Sequence, residues 1–168
     1  LAPVSGTAAA ADPTEASLES LIAAADTPAP RRVEALLAMA DRHRQAGFKR
    51  KALPLLDHAL TLRNDLSPGL LARLHASHGA LLHDLGLYTE AIASLETALG
   101  GANLSALSRA RLLNELGVVY GSVGDTASAL VRFGDAERVA AATRDTLLAA
   151  KIRANRARAV ITGGRVRS

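Results

Sequence analysis

Apolar residues recur along most of this chain at helical spacing, and no stretch shows the strict alternation of a half-buried strand. The pattern also repeats. Gly47, Gly86 and Gly124 stand at offsets of 39 and 38 residues, each after one apolar-periodic segment and before another. Seven residues before them lie Ala40, Gly79 and Gly117; five after lie Ala52, Ala91 and Ala129. Each of these alanines is followed four residues on by a bulky group (Leu56, Leu95, Phe133) and then by Ala59, Ala98 and Ala136. Residues Leu66 to Ala98 align without a gap on Leu104 to Ala136, with identities at Leu66/Leu104, Ser67/Ser105, Ala72/Ala110, Arg73/Arg111 and Leu74/Leu112. A period of this length marks units that cannot bury their apolar faces alone and must stack.

Each copy reads as two antiparallel helices. The small residues before and after the turn fall where the two helices cross, which lets their axes approach toward the lower end of about 8–10 Å. The glycine ends the first helix in a left-handed conformation that other residues adopt only at a cost. Ser67-Pro68 is an N-cap followed by proline at the first helical position. Pro54 requires its helix to begin near Lys51, so that the ring lies in the first turn.

The third copy reads Leu113-x2-Leu116-Gly117-x2-Tyr120, then Ala129-x3-Phe133 and Ala136. It resembles the tetratricopeptide (TPR) signature W-x2-L-G-x2-Y…A-x3-F. The period exceeds the standard of about 34 residues, and the surplus falls after each second helix. The run Leu113-Asn114-Glu115-Leu116-Gly117-Val118-Val119-Tyr120-Gly121 is similar to the longer repeats of kinesin light chains. This resemblance implies an all-α fold, a TPR-type α-α superhelix of antiparallel helix pairs. Residues 28–168 form the solenoid, with repeats at about 33–66, 72–105 and 110–143 and a partial fourth at 147–168. Residues 14–27, with apolar positions Ala16, Leu18, Leu21, Ile22 and Ala25, predict a helix that caps the first repeat.

Composition narrows the chemistry. Of the 168 residues 49% are apolar and 2% aromatic, the balance of close-packed helices dominated by leucine and alanine. No apolar run reaches the roughly 18 residues of a transmembrane helix. The chain has no cysteine, which removes disulfides, thiol catalysis and thiolate metal sites and fits cytoplasm or bacterial periplasm alike. No HExxH, GxSxG, Walker or glycine-rich phosphate motif is present, and Asp135/Glu137 and Glu15/Glu19 read as solvated faces. His75 and His78, at i and i+3, stand where the repeat signature packs leucine, and no carboxylate falls at a spacing that completes a metal site. The reading is a non-enzyme without cofactor or metal.

The net charge is +4, and no acid follows Asp145, whereas Lys151, Arg153, Arg156, Arg158, Arg165 and Arg167 do. Such a stripe attracts anions. With no tryptophan and only Phe48, Phe133, Tyr88 and Tyr120 as aromatics, base-stacking platforms are lacking, which argues against nucleic acid.

In TPR proteins the concave wall of first helices binds peptides, and the resemblance implies the same wall here. Its positions are Leu37, Asp41 and Arg44 in the first copy; Arg73, Ala76, Ser77, Ala80 and His83 in the second; Arg111, Asn114, Glu115, Val118 and Ser122 in the third; and Asn155 and Ala159 in the fourth. Asn114 and Asn155 would hold a peptide backbone through their amides, while Arg73 and Arg111 would favour acidic side chains. Leu37 and Asp41 stand where the chaperone-tail carboxylate clamp has lysine and asparagine, so that mode is not implied. The expected function is a protein-interaction scaffold. The alternative is a regulatory or sensory TPR segment of a larger multidomain protein, such as a bacterial regulator, whose effector lies C-terminal to it.

Residues 1–13, small and Pro-bearing, read as a flexible lead-in. The fourth first-helix carries Leu147, Leu148, Ile152, Ala154, Ala157 and Ile161 as its expected buried stripe, then meets Gly163-Gly164. Without a second helix, this stripe predicts a fragment of a longer protein and a homodimer contact through Leu147, Leu148, Ile152 and Ile161.

Overall fold

Each predicted turn glycine closes a helix by the same pair of backbone bonds. Gly47, Gly86 and Gly124 have φ of 84°, 79° and 82°. The N–H groups that follow them, of Phe48, Leu87 and Asp125, donate to the carbonyls of His43, Leu82 and Tyr120 at 2.7, 2.9 and 3.0 Å. The glycine N–H groups donate to Arg44, His83 and Gly121. This is the Schellman arrangement, which satisfies carbonyls that the helix end would otherwise leave open.

The computed structural model describes residues 14–101 and 103–165. The lead-in at 1–13 and the basic residue Arg167 lie outside them. Among the described residues there are eight α-helices and no strand: α1 (Glu15–Ala23), α2 (Ala29–Gln45), α3 (Lys49–Thr61), α4 (Pro68–Asp84), α5 (Tyr88–Leu99), α6 (Ala106–Ser122), α7 (Thr126–Ala140) and α8 (Thr146–Arg165), with a 3-10 turn at Arg63–Asp65. The first helices α2, α4 and α6 are each 17 residues long. Ser67 and Ser105 cap α4 and α6 by accepting from the N–H of Leu70 and Ser108 at 3.3 and 3.1 Å. None of the described helices is long and apolar enough to cross a membrane.

The core is a chain of overlapping clusters, each built from one helix pair and the next first helix. Leu36, Leu37, Ala40, Ala52, Leu56, Ala59, Leu74 and Leu81 join α2 and α3 to α4. Leu82, Ala91, Leu95, Ala98, Leu112, Leu116 and Val119 join α4 and α5 to α6. Ala110, Leu113, Ala129, Phe133, Ala136, Leu148 and Ile152 join α6 and α7 to α8. Each unit therefore contacts only its neighbours, as in a solenoid. At the crossings, a Cβ on Gly79 would stand 2.6 Å from Leu95 Cγ, and one on Gly117 would stand 2.6 Å from Phe133 Cε1. Glycine there is a packing requirement.

α1 lies against α2 through Leu18, buried with Ala35 and Met39. Arg32 secures the turn between them, donating from Nη2 to the carbonyls of Ala24, Ala25 and Thr27 at 2.8, 3.3 and 3.1 Å.

Three positions differ from the sequence reading. α3 begins at Lys49, so Pro54 lies in its second turn rather than its first. Pro54 and Arg50 both face solvent, where water can reach the Arg50 carbonyl that the missing N–H leaves open. Leu37 is fully buried and belongs to the core, not the wall surface. In α8 only Leu148 and Ile152 of the expected stripe are buried; Leu147 is 80% exposed and Ile161 60%, and Ala154 and Ala157 are exposed. The helix is rotated so that Leu148, Ile152, Asn155 and Ala159 face α6 and α7.

Candidate functional site

The first helices α2, α4, α6 and α8 touch one another in order and form one wall. Polar side chains bridge each step. Arg44 Nε of α2 meets Asp84 Oδ2 of α4 at 2.6 Å, and Lys49 Nζ reaches the Asp84 carbonyl at 3.5 Å. His83 Nε2 of α4 meets Ser122 Oγ of α6 at 2.9 Å. Between α6 and α8, Asn155 Nδ2 donates to Asn114 Oδ1 at 3.0 Å and Lys151 Nζ donates to Glu115 Oε1 at 3.4 Å. Arg111 Nη2 stands 3.8 Å from Asp145 Oδ2, the N-cap of α8.

Of the fifteen wall positions chosen from sequence, seven thus connect one first helix to the next: Arg44, His83, Arg111, Asn114, Glu115, Ser122 and Asn155. Asn114 is 1% exposed. Its oxygen is occupied by Asn155 and its Nδ2 points to Glu115 Oε1 at 3.4 Å, so the amide is not open to a peptide in this arrangement. The reason is that α8 packs over it. Arg73 and Arg111 are exposed, and Asp41, Ser77 and Val118 are half-buried.

A cleft of about 700 Å3 opens where the wall meets the last helix pair. α6 contributes Gly117, Val118, Gly121 and Ser122, α7 contributes Thr126, Leu130 and Phe133, and α8 contributes Asn155, Arg158 and Ala159. Its space comes from missing side chains: a Cβ on Gly121 would meet nothing within 4 Å. A mainly apolar concavity with a few polar groups at its edge has the general make-up of a ligand site.

No protein-family model and no curated protein matches the chain. Among solved structures the chain is similar to the crystal structure of MamA, with a TM-score of 0.58 and 18% identity over 90% of this chain and 87% of that one. MamA contains TPR repeats. The fold is an all-α, TPR-type superhelix.

Within this TPR-type wall, the sequence reading had named Val118, Ser122, Asn155 and Ala159 of the cleft. It passed over Gly121, Arg158, Thr126 and Leu130. Gly121, a glycine inside a helical pattern, was the available signal of a missing surface; Arg158 was marked only as part of the basic stripe and Thr126 not at all, because only the packing of α8 on α7 brings them together.

A second polar cluster lies between the first two repeats. Ser94 of α5, 7% exposed, donates its hydroxyl to the His75 carbonyl at 3.0 Å and lies 3.1 Å from His78 Nδ1. His78 Nε2 is 3.3 Å from Asp57 Oδ1 of α3. The Asp-His-Ser order resembles a hydrolase triad in outline only. The Ser94 proton is engaged by a backbone carbonyl and the oxygen is sealed from substrate. Among the described residues no group of three His, Cys, Asp or Glu is placed to hold a metal.

Burial holds the His75 imidazole below its ordinary value of 6.5, assisted by the charges of His78 and Arg63. Burial likewise lowers His78, against the pull of Asp57. An imidazole whose folded value lies below its unfolded one binds fewer protons when folded. Its contribution is therefore present above pH 6.5 and is lost as the pH falls below that value. The melting temperature should drop as the pH is lowered from about 7.5 to about 5, and a His75→Gln/His78→Gln variant should drop less. Equal slopes in thermal melts would assign the titration to other groups.

Proposed function

We propose that the chain is a protein-interaction scaffold that takes an acidic peptide along the wall of first helices and anchors one apolar side chain in the cleft between α6, α7 and α8. The observation that carries this reading is the cleft itself, set in the wall and lined by Val118, Gly121, Ala159 and Phe133. The charge follows from Arg73, exposed on α4, from Arg111, whose contact with Asp145 is long and solvated, and from Arg158 at the cleft. Exposed pairs such as Arg111–Asp145 contribute about 0–1 kcal/mol and exchange partners readily. Asn114 and Asn155 serve as a wall brace, and a peptide would have to displace that brace to use their amides. No step of this function requires catalysis or a cofactor.

Gly121→Leu tests the reading without disturbing the core. The new side chain has open space on its helix and would fill the cleft, while the helix gains up to about 1 kcal/mol from losing a glycine. The variant should melt at or above the wild-type temperature and bind a panel of acidic peptides, each with one leucine anchor, about tenfold or more weakly. Arg73→Ala plus Arg111→Ala should weaken the same peptides mainly at low salt, because exposed charges are screened. If filling the cleft leaves affinity unchanged in fluorescence titrations, the anchor lies elsewhere.

A further inference from the structure

Among the described residues seven large apolar side chains are exposed. Three belong to α8 and one, Val131, to α7; the other three stand at the turns that join each first helix to its second. Phe48 is 54% exposed, Leu87 40% and Val123 47%, and each is the immediate neighbour of a turn glycine. A single exposed apolar residue is ordinary, whereas recurrence at one place in three successive repeats marks a surface. The turns also touch one another. Lys49 Nζ reaches the Asp84 carbonyl at 3.5 Å, and His83, tilted against the Tyr88 ring with centroids 5.8 Å apart, meets Ser122 Oγ at 2.9 Å. The three tips therefore share one rim of the superhelix, and no residue of α8 takes part.

Charge is one-sided at the first of these turns. Between Asp41 and Asp57 the chain has no acid, but it has Arg42, Arg44, Lys49, Arg50 and Lys51. Arg44 is offset by Asp84 at 2.6 Å. Lys49, Arg50 and Lys51 meet no carboxylate among the described residues. Lys49 reaches only the neutral carbonyl, and Lys51 Nζ stands 5.1 Å from the centre of the Phe48 ring. Of the acids at the other two turns, Asp84 is the one paired with Arg44, and Asp125 caps α7 by accepting from the N–H of Ser128 at 3.0 Å. Glu90 lies in the first turn of α5. The uncompensated positive charge is thus concentrated beside Phe48.

This arrangement selects the partner. Three tips separated by polar side chains make no groove, so a protein would need a separate pocket for each. A lipid interface accepts isolated apolar tips without a preformed complement, and cations beside them settle at the headgroup phosphates while their stems lie against the acyl chains. We propose that this rim seats the chain on the surface of a membrane bearing anionic phospholipids, with Phe48 entering deepest and Lys49, Arg50 and Lys51 at the phosphates. Leu87 and Val123 follow along the rim at shallower depth. Each basic residue near such a surface strengthens attachment, and the attraction fades within a Debye length. No helix has to cross the bilayer.

The chain has no tryptophan, so a single one introduced by substitution reports its own surroundings. The emission of Phe48→Trp should shift to shorter wavelength on vesicles of phosphatidylcholine and phosphatidylglycerol in equal parts, and brominated acyl chains should quench it. Thr61→Trp, exposed at the opposite end of α3 about 18 Å away, should show neither change. In vesicle co-sedimentation, Phe48→Ser with Leu87→Ser and, separately, Arg50→Glu with Lys51→Glu should each weaken attachment about tenfold or more. Phe48 and Leu87 are the N-caps of α3 and α5, where serine is favoured, and glutamates in the first turn of α3 suit its dipole. Circular dichroism of both variants should therefore stay that of the wild type. Raised salt should weaken attachment, and phosphatidylcholine alone should not hold the chain. No attachment to the anionic vesicles, equal attachment to neutral ones, a Thr61→Trp shift as large as that of Phe48→Trp, or indifference to both double variants would overturn the proposal. So would Phe48→Trp emission that responds to acidic peptides but not to vesicles, since the rim would then face a protein.

Discussion

Phe133→Ala should lower the stability of the chain by about 3–5 kcal/mol, the range for emptying a buried aromatic site. The ring is 1% exposed and sits among Ala110, Leu113, Ala129, Ala136, Leu148 and Ile152. Most of those neighbours are alanines or lie on another helix, so little can move in to fill the space. The loss should also loosen α8, whose Leu148 and Ile152 share this cluster. Urea unfolding should show a large fall in midpoint, with hydrogen exchange rising in α8 before it rises in α2. A change below about 1 kcal/mol would mean that the ring is not the wedge between α6 and α7.

Gly117→Leu should be destabilising by about 1–3 kcal/mol or more, because the added atoms overlap Phe133 at the crossing. Leaving glycine favours a helix by up to about 1 kcal/mol, so the sign depends on what lies opposite. Opposite Gly117 the nearest ring atoms would stand 2.6, 2.8 and 2.9 Å from a Cβ, and this ring is enclosed. Opposite Gly121 there is nothing within 4 Å. Two glycines one turn apart should therefore respond in opposite directions, Gly117→Ala losing stability and Gly121→Ala gaining it. Gly117→Ala combined with Phe133→Leu should recover part of the loss, as Ala40 already packs with Leu56 in the first repeat. Thermal melts of the four variants check both signs at once.

The elements that could be read from sequence are those set by local or repeated chemistry. Gly47, Gly86 and Gly124 announce left-handed helix ends because few other residues adopt that conformation cheaply. Ser67 and Ser105 announce helix starts because their hydroxyl oxygens accept from the backbone N–H three residues on, which has no carbonyl partner within the helix. The crossing residues follow from the repeat, since three copies in phase must make the same contact, and the structure places Leu95 and Phe133 directly over Gly79 and Gly117.

What only the tertiary structure decided is which of several equivalent surfaces each residue meets. α8 carries two apolar stripes, and its own sequence prefers neither; the shape of α6 and α7 buries Leu148 and Ile152 and leaves Leu147 and Ile161 in water. Asn114 reads the same whether it faces a peptide or a neighbouring helix, and the arrival of Asn155 at 3.0 Å, 41 residues later in the chain, settles its partner. Pro54 is tolerated in the second turn because that side of α3 faces water, which helical periodicity alone does not reveal. Gly117 and Gly121 are identical letters; one closes a crossing and the other opens a cleft. Spacing along a chain determines which residues share a helix face, whereas the packing of neighbouring helices determines whether that face meets a core, a polar brace or open solvent.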